Sequence, residues 1–544
     1  MLSIRDLSIA LPPGSDRALA VDGLSLDLKA GETLCLVGES GSGKSLTASA
    51  IVGLLPSQRL RVSAGRIGFE GADLLRMSDA ELRRIRGGRI GYVFQDPTSS
   101  LNPLERVGKQ IEEVLVLHRW PGDRRQRVLQ LLADMSLPNP ALIAGAYPWQ
   151  LSGGQRQRVM IAMAVAVEPL MLIADEPTSA LDVTTASQIL TLLRELKTRR
   201  GIGLLLITHD FGVVAEMADR VAVLRHGLVV DQGARDDVLL RSTNAYTRQL
   251  LAAVPPLRAR PERTGVVTPL LTAEKLTKTW QSRNGFFQPR RSVTALDSVS
   301  LTLGQGETLA VVGESGSGKS TLARVLCRLT GVDRGHAHLE GIAQDYLALP
   351  NSRLGGVRKC VQLVFQDPYS SLNPRRTVGD SIALGLRTQG ESAATSRLRA
   401  RELLARVQLD PGAADRFPNE FSGGQRQRIV IARALATRPR MLVADEAVSA
   451  LDVSVQAEIL TLLESIQREE GLALLFITHD LRVAARMADR VLVMHRGAVV
   501  ESSTMRQILT APSHDYTAAL VAAVPKTTGI DAQHGHQQTE EEAR

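Results

Sequence analysis

The octapeptide Gly38-Glu39-Ser40-Gly41-Ser42-Gly43-Lys44-Ser45 is repeated as Gly313-Glu314-Ser315-Gly316-Ser317-Gly318-Lys319-Ser320. Both copies satisfy the pattern G-x-x-x-x-G-K-[ST] in full. A short apolar run precedes each, at 34–37 and 309–312, and reads as a buried strand; residues 46–54 after the first copy are compatible with a helix. In a strand–loop–helix the glycines let several backbone N–H groups face one point, and the new helix aims its positive end at the same point. Gly38, Ser40, Gly41 and Gly43, with Gly313, Ser315, Gly316 and Gly318, are therefore candidate phosphate-binding residues. Lys44 and Lys319 would add a full charge near the β- and γ-phosphates, and Ser45 and Ser320 a hydroxyl for Mg²⁺. Chance could produce one such glycine-rich loop, but not two identical copies in the same context.

The repeat extends far beyond the loops. Lys44 to Lys319 is an offset of 275, Gln95 to Gln366 of 271, and Ser152 to Ser422, Asp175 to Asp445 and His209 to His479 of 270 each. A constant offset from the middle onward marks a duplicated domain, not a short solenoid repeat. Residues 1–36 read as strands leading to the loop. Residues 66–95 read as further strands around a charged helical insert at 79–86. Helical periodicity over 103–150 includes Val128, Leu129, Leu131 and Leu132. Residues 170–231 give strand, helix, strand, helix and a hairpin around His226-Gly227, which predicts a mostly parallel α/β core with a helical lobe inserted at 103–165. Similar segments, 244–255 and 514–525, close the two copies. The expected organisation is a first domain at 1–254, an exposed Pro- and Arg-rich linker at 255–270, a second domain at 271–525 and a disordered polar tail at 526–544. His534 and His536 in that tail are weak metal candidates.

Length alone, 544 residues, requires more than one domain. Aromatic residues make up only 3%, which argues against an aromatic platform for nucleic-acid bases. The net charge of +8 fits either a solvated basic surface or attraction to polyanions, nucleic acid or an anionic membrane face. Cys35, Cys327 and Cys360 form no C-x-x-C pair and read as reduced packing residues. No apolar run approaches 18 residues and no N-terminal signal pattern is present, so a chain neither secreted nor membrane-spanning on its own is expected.

An apolar run also ends in two carboxylates in each copy, at Asp175-Glu176 and Asp445-Glu446. The carboxyl end of a parallel strand opens onto the ligand crevice. Alternation along the strand would send the two side chains to opposite sides and so to different tasks. Asp175 and Asp445 suit the Mg²⁺ shell, because a hard cation takes oxygen ligands. Glu176 and Glu446 suit proton abstraction from an attacking water. Beside a phosphate loop, such a pair means nucleotide hydrolysis. Between these motifs lie Ser152-Gly153-Gly154-Gln155 and Ser422-Gly423-Gly424-Gln425, each before a long helical stretch, and each a possible N-cap or anion-ready helix start.

Leu151-Ser152-Gly153-Gly154-Gln155 and Phe421-Ser422-Gly423-Gly424-Gln425 resemble the signature motif of ATP-binding cassette (ABC) proteins. The rest of that family's set follows in order in both copies. Gln95 and Gln366 stand in Phe-Gln-Asp-Pro, similar to the Q-loop. Ser179-Ala180-Leu181-Asp182 and Ser449-Ala450-Leu451-Asp452 resemble the D-loop. Ile207-Thr208-His209-Asp210 and Ile477-Thr478-His479-Asp480 resemble the switch-histidine segment. The resemblance covers roughly residues 1–525. It implies two tandem P-loop ATPase domains, each a RecA-like α/β core with a small antiparallel β subdomain and an inserted α-helical lobe. It implies ATP and Mg²⁺ as ligands, Gln95 and Gln366 among the metal ligands, and His209 and His479 beside the catalytic glutamates. It also implies head-to-tail cassettes, with Ser152, Gly153, Gly154 and Gln155 facing the ATP of the second loop, and Ser422, Gly423, Gly424 and Gln425 that of the first.

Two departures stand out. Ala447-Val448 replaces Pro177-Thr178 after the catalytic glutamate, which could alter the turn and make the sites unequal. The family's adenine-stacking aromatic would fall near Leu19 and Thr294, neither of which can stack; Phe286 and Phe287 are available in the second copy. Asp-Pro-Thr98-Ser-Ser-Leu-Asn-Pro, its counterpart around Tyr369 and the closing Tyr-Thr…Ala-Ala-Val-Pro segments resemble the peptide/nickel branch of importers. That resemblance implies a motor for peptide-like solutes on the cytoplasmic face of the inner membrane, working with two membrane-spanning permease subunits and, indirectly, a solute-binding protein. No nucleic acid and no iron–sulfur centre are expected. A twin-cassette ATPase acting on ribosomes or nucleic acid, or an exporter ATPase, is the alternative.

Overall fold

The computed structural model describes residues 1–179, 181–261, 263, 268–282, 291–449 and 451–525. Ala180, Ala450, Phe286, Phe287, His534, His536 and the expected tail at 526–544 lie outside the described residues. The chain divides into two compact units.

In the first unit β1 (Leu2–Ala10) pairs with β2 (Leu19–Leu28) and, on its other side, with the later strand at 61–69. The chain then enters β3 (Thr33–Val37), the phosphate loop and α1 (Lys44–Ile51). Next come β4 (Arg61–Phe69), β5 (Ala72–Asp73), α2 (Asp79–Ile85) and β6 (Ile90–Val93). The lobe α3 (Pro97–Ser100), α4 (Val107–Leu117), α5 (Arg124–Asp134), α6 (Pro140–Gly145) and α7 (Gly153–Ala164) is inserted before β7 (Met171–Asp175). The core resumes with α8 (Val183–Arg200), β8 (Gly203–Ile207), α9 (Phe211–Met217), β9 (Arg220–Arg225), β10 (Leu228–Ala234), α10 (Arg235–Leu240) and α11 (Ala245–Ala253). One sheet runs β2-β1-β4-β5 and is antiparallel; the other runs β10-β9-β3-β8-β7-β6. Only its edge strand β10 is antiparallel there. All residues of β3, β7 and β8 are buried. Strands covered on both faces have no solvent side and read as unbroken apolar runs.

The second unit repeats this plan with β11 (Pro269–Ser282), β12 (Arg291–Gly304), β13 (Thr308–Val312), α12 (Lys319–Leu326), β14 (Arg334–Leu339), α13 (Gly355–Cys360) and β15 (Val361–Val364). Its lobe is α14 (Pro368–Ser371), α15 (Val378–Arg387), α16 (Ala393–Arg406) and α17 (Gly423–Leu435). Then follow β16 (Met441–Asp445), α18 (Val453–Glu470), β17 (Ala473–Ile477), α19 (Leu481–Met487), β18 (Arg490–His495), β19 (Ala498–Thr504), α20 (Met505–Thr510) and α21 (Asp515–Ala522). The sheets run β12-β11-β14 and β15-β16-β17-β13-β18-β19. Strand alternation separates two cores here. Leu475 and Ile477 of β17 pack with Leu309, Val311 and Leu322, while Leu474 and Phe476 face the other way, toward Ile431, Ile459 and Leu463. Each such large side chain contributes about 1.5–3 kcal/mol on burial.

Local signals end the elements where sequence rules expect. Ser78 and Glu81 form a capping box at the start of α2, the charged insert. Gly201 and Gly471 close α8 and α18 in the left-handed conformation. His226-Gly227, both at positive φ, make the β9–β10 turn.

The stretch expected as an exposed linker is partly packed. From Pro255 the chain groups with the second unit. The Arg260 side chain donates to Met487 O at 2.6 Å and its backbone N–H to Ala485 O at 3.3 Å; Arg482 donates to Pro255 O at 3.3 Å. Composition suggested a solvated tether, but the last carbonyls of a helix lack partners within it and take such donors. Val524 and Pro525, placed by sequence in the second domain, group with the first unit.

Candidate functional site

Each phosphate loop leaves its strand through a contact that only glycine permits. At Gly38 φ is +143°, and a Cβ would lie 2.2 Å from Leu224 O; at Gly313 φ is +148°, with Met494 O at the same 2.2 Å. The loop then curls around its own lysine. Lys44 Nζ donates to Gly38 O at 2.7 Å and Glu39 O at 2.9 Å, and Lys319 Nζ to Gly313 O at 2.8 Å and Glu314 O at 2.7 Å. Both ammonium groups are buried and so stand ready beside the place a phosphate would occupy.

The hydroxyl that follows meets the acidic motif. Ser45 Oγ donates to Asp175 Oδ1 at 3.0 Å, and Ser320 Oγ to Asp445 Oδ1 at 3.0 Å. Burial pushes both aspartates up from the usual carboxylate range, with the neighbouring glutamates adding to it. A hydroxyl and a carboxylate side by side are hard oxygen donors of the kind Mg²⁺ takes. Tyr92 Oη also donates to Asp175, at 3.3 Å. Its counterpart in the second copy is Leu363, so this bond belongs to the first site alone.

The glutamates are not set by strand alternation, as their sequence position suggested. The strands end at Asp175 and Asp445; Glu176 and Glu446 lie beyond, at φ +47° and +50°. A non-glycine residue there is strained, by about 1–3 kcal/mol, and persists only when its surroundings hold it. The Glu176 N–H donates to Ile207 O at 2.9 Å and Ser179 Oγ to Glu176 O at 3.1 Å; for Glu446 the partners are Ile477 O at 3.0 Å and Ser449 Oγ at 3.0 Å. Ala447-Val448 thus leaves the turn as it is in the first copy.

Each carboxylate is gripped from two sides. Gln95 Nε2 donates to Glu176 Oε2 at 2.8 Å while His209 Nδ1 stands 3.2 Å from Oε1. Gln366 Nε2 donates to Glu446 Oε2 at 2.8 Å, with His479 Nδ1 at 3.6 Å. Burial alone would raise both glutamates, yet the neighbouring histidine, hydrogen-bonded to Glu176 and an ion-pair partner of Glu446, together with the loop lysine outweighs it and holds them below their usual range. An ionised carboxylate is what a general base requires.

The signature turns are built by local bonds. Ser152 Oγ caps α7 by accepting the Gln155 N–H at 3.2 Å, and Gln155 Oε1 accepts the Ser152 N–H at 3.0 Å. Ser422 and Gln425 do the same for α17, at 3.3 Å and 3.0 Å. A Cβ on Gly154 would lie 2.4 Å from Thr185 Cγ2, and on Gly424 2.3 Å from Val455 Cγ1, so the second glycine of each turn lets the next helix approach; Gly153 and Gly423 have room. Gly41, Gly43, Gly316 and Gly318 all have positive φ, as the curled loops require.

An ABC transporter family model matches residues 21–179 and again 296–449, and an oligopeptide/dipeptide transporter C-terminal region model matches 500–544. The chain belongs to the ABC transporter family. It is an ABC ATPase with two cassettes, of the kind that couples ATP hydrolysis to transport. It is 45% identical over 529 residues to a peptidoglycan transport ATP-binding protein of Agrobacterium fabrum, covering 96% of both chains. It is 44% identical over 564 residues to a glutathione import ATP-binding protein of Salmonella typhimurium, covering 96% of this chain and 89% of the relative. A solved complex of an archaeal ribosomal stalk protein and ribosome recycling factor shares the fold alone, at 20% identity and a TM-score of 0.61, over 92% of this ABC ATPase and 90% of that chain.

Tyr92, Tyr246, Tyr516 and Arg17 were not signalled by the sequence motifs. Arg17 donates to Gly41 O at the tip of the first loop, and Tyr246 Oη to Glu39 Oε2. Tyr92 and Arg17 fall outside every short pattern, and the closing Tyr-Thr segments carry no sign that Tyr246 and Tyr516 reach the loops; only the fold brings them there.

Proposed function

We propose that this ABC ATPase is the motor of a bacterial importer for peptide-like solutes, with Mg²⁺ and ATP at both phosphate loops. The observation that carries this reading is the match of residues 500–544 to the oligopeptide/dipeptide transporter C-terminal region, in a chain similar along nearly its whole length to a glutathione import and a peptidoglycan transport ATP-binding protein. No described helix is long and apolar enough to cross a membrane, so passage of the solute falls to permease subunits, two in this reading, on the inner membrane. The inserted lobes offer exposed apolar side chains for such partners: Leu104, Leu117 and Trp149 in the first, Leu384, Leu398 and Phe417 in the second. A solute-binding protein would act on the permeases rather than on this chain.

In this reading Lys44 and Lys319 hold the β- and γ-phosphates, and Glu176 and Glu446 take the proton of the attacking water. His209 and His479 orient those glutamates, and Gln95 and Gln366 position the water and report the γ-phosphate. Mg²⁺, when bound by Ser45, Gln95 and Asp175 or by Ser320, Gln366 and Asp445, supplies neutralising charge at the phosphates. Ser152, Gly153, Gly154 and Gln155, and Ser422, Gly423, Gly424 and Gln425, present capped helix starts suited to an anion such as the phosphates of ATP.

Two experiments test this. Affinity purification from detergent-solubilised membranes should recover two multi-span permeases; ribosomes or nucleic acid without a permease would overturn the importer reading. Glu176→Gln with Glu446→Gln should retain ATP binding and lose steady turnover by about 10²–10⁴-fold. Normal turnover in that double variant would refute the assignment of the base.

A further inference from the structure

The chemistry above leaves the closing helices α11 and α21 without a task. Each places a tyrosine, Tyr246 or Tyr516, at the same step of the repeat, and each tyrosine reaches the second residue of its phosphate loop. Tyr246 Oη donates to Glu39 Oε2 at 3.1 Å, and Tyr516 Oη accepts the backbone N–H of Glu314 at 2.9 Å. A side chain from the last residue of the neighbouring strand covers each ring. The Arg225 guanidinium lies 4.6 Å from the Tyr246 ring centre, and the His495 ring stacks on Tyr516 at 4.1 Å and 17°.

The helices that carry these tyrosines are anchored to the edge strands. Asn244 Oδ1 caps α11 by accepting the Tyr246 and Thr247 N–H groups, at 2.9 and 3.2 Å. Thr247 Oγ1 and Ser242 Oγ both donate to Asp231 Oδ2 on β10, at 2.9 and 2.5 Å. In the second unit Glu501 on β19 accepts the N–H groups of Ser513 and His514, at 2.9 and 3.1 Å. Burial, reinforced by the Glu39 carboxylate, pushes the Tyr246 phenol well above its usual range, so it stays a donor. The same closure is thus built twice: in each unit the phenol meets the backbone of the second loop residue, and in the first it also donates to the Glu39 carboxylate.

We propose that Tyr246 and Tyr516 are positioning residues for nucleotide binding, each clasping its phosphate loop at the second residue and holding it curled before ATP arrives. A loop with three glycines at positive φ loses much conformational freedom when ordered. Ordering it in advance moves that cost from binding to folding. The clasp touches the entry of the loop, not the glutamate or the γ-phosphate end, so its loss raises the ATP concentration needed and spares the rate at saturation. In the second unit α21 lies inside the region matched to the oligopeptide/dipeptide transporter C-terminus, which gives that region a role at the ATP site. The inference rests on nucleotide occupying the two phosphate loops.

The test uses the full chain carrying Tyr246→Phe, Tyr516→Phe or both, which removes the hydroxyls and keeps the rings. Binding of a fluorescent ATP analogue and ATPase kinetics are read beside Lys44→Ala/Lys319→Ala. The double Phe variant should raise Kd and KM for ATP about three- to tenfold, the worth of one net hydrogen bond per site, with kcat within about twofold. Amide exchange over 38–44 and 313–319 should quicken without nucleotide and return to the parent rate at saturating ATP. Glu39→Ala, which keeps the backbone contact to the Tyr246 hydroxyl, should raise KM for ATP in the same direction as Tyr246→Phe but by less. Unchanged KM and exchange in the Phe variants, while the Lys variants lose binding, would overturn the clasp. Retained binding in the Lys variants would overturn the assignment of the loops and the clasp with it.

Discussion

Glu176 and Glu446 show most clearly what single residues do here. Their left-handed backbone turns the carboxylates out of strand register and into the grip of a glutamine and a histidine. Glutamate does not prefer that conformation, so the strain is maintained by the sheet and by Ser179 and Ser449. Gly38 and Gly313 are the opposite case, where no other residue fits. Gly38→Ala or Gly313→Ala drives a Cβ into a carbonyl oxygen 2.2 Å away at a φ that L-residues avoid. The expected outcome is a loss of at least about 1–3 kcal/mol in the affected cassette, read by denaturant titration, with ATP binding lost at that loop.

Among the elements, the closing helices depend most on a few polar anchors. Glu501 is buried, and burial pushes its carboxyl up, but the hydrogen bonds from the N–H groups of Ser513 and His514 outweigh it and hold the carboxyl below its usual range. A carboxyl depressed in the folded state contributes stability that is full above its unfolded value, near 4.3, and fades as pH falls through the folded value. Glu501→Gln should therefore destabilise the second cassette by about 1–3 kcal/mol at pH 7. The gap between variant and parent should keep nearly its full size down to about pH 5 and narrow as pH falls below about 4.3. A gap that does not change with pH would show that charge on Glu501 is not what anchors α21. The signature helices rely instead on neutral caps, Ser152 and Ser422, so the N-terminal N–H groups beside them remain suited to an anion.

At the scale of the whole chain, the duplication has kept both sets of the residues proposed for ATP hydrolysis. Lys, Ser, Asp, Glu, Gln and His occupy matching places in each unit, with Ser–Asp distances of 3.0 Å and Gln–Glu distances of 2.8 Å in both. The differences lie around the sets, in Tyr92 against Leu363 and in a His–Glu spacing of 3.2 against 3.6 Å. Glu176→Gln and Glu446→Gln, made singly, should each reduce steady ATPase turnover to a comparable degree. A variant that keeps parental turnover would identify its site as dispensable.

Much of this protein was determined by its sequence alone. The two octapeptides, the acidic strand ends and the apolar runs of β3, β7 and β8 dictate a phosphate-binding α/β core twice over. Their physics is local: a glycine loop, a helix start and a strand buried on both faces each need only consecutive residues. The left-handed glutamates, the packed arginines after Pro255, and the tyrosines and Arg17 at the loops are another matter. Each is defined by a partner far away in the chain: Ile207 for Glu176, Met487 for Arg260, Glu39 for Tyr246. No period or short motif encodes such pairs. Only the tertiary structure decided them, because hydrogen bonds between residues 31, 207 or 227 positions apart exist only once the fold has brought them together.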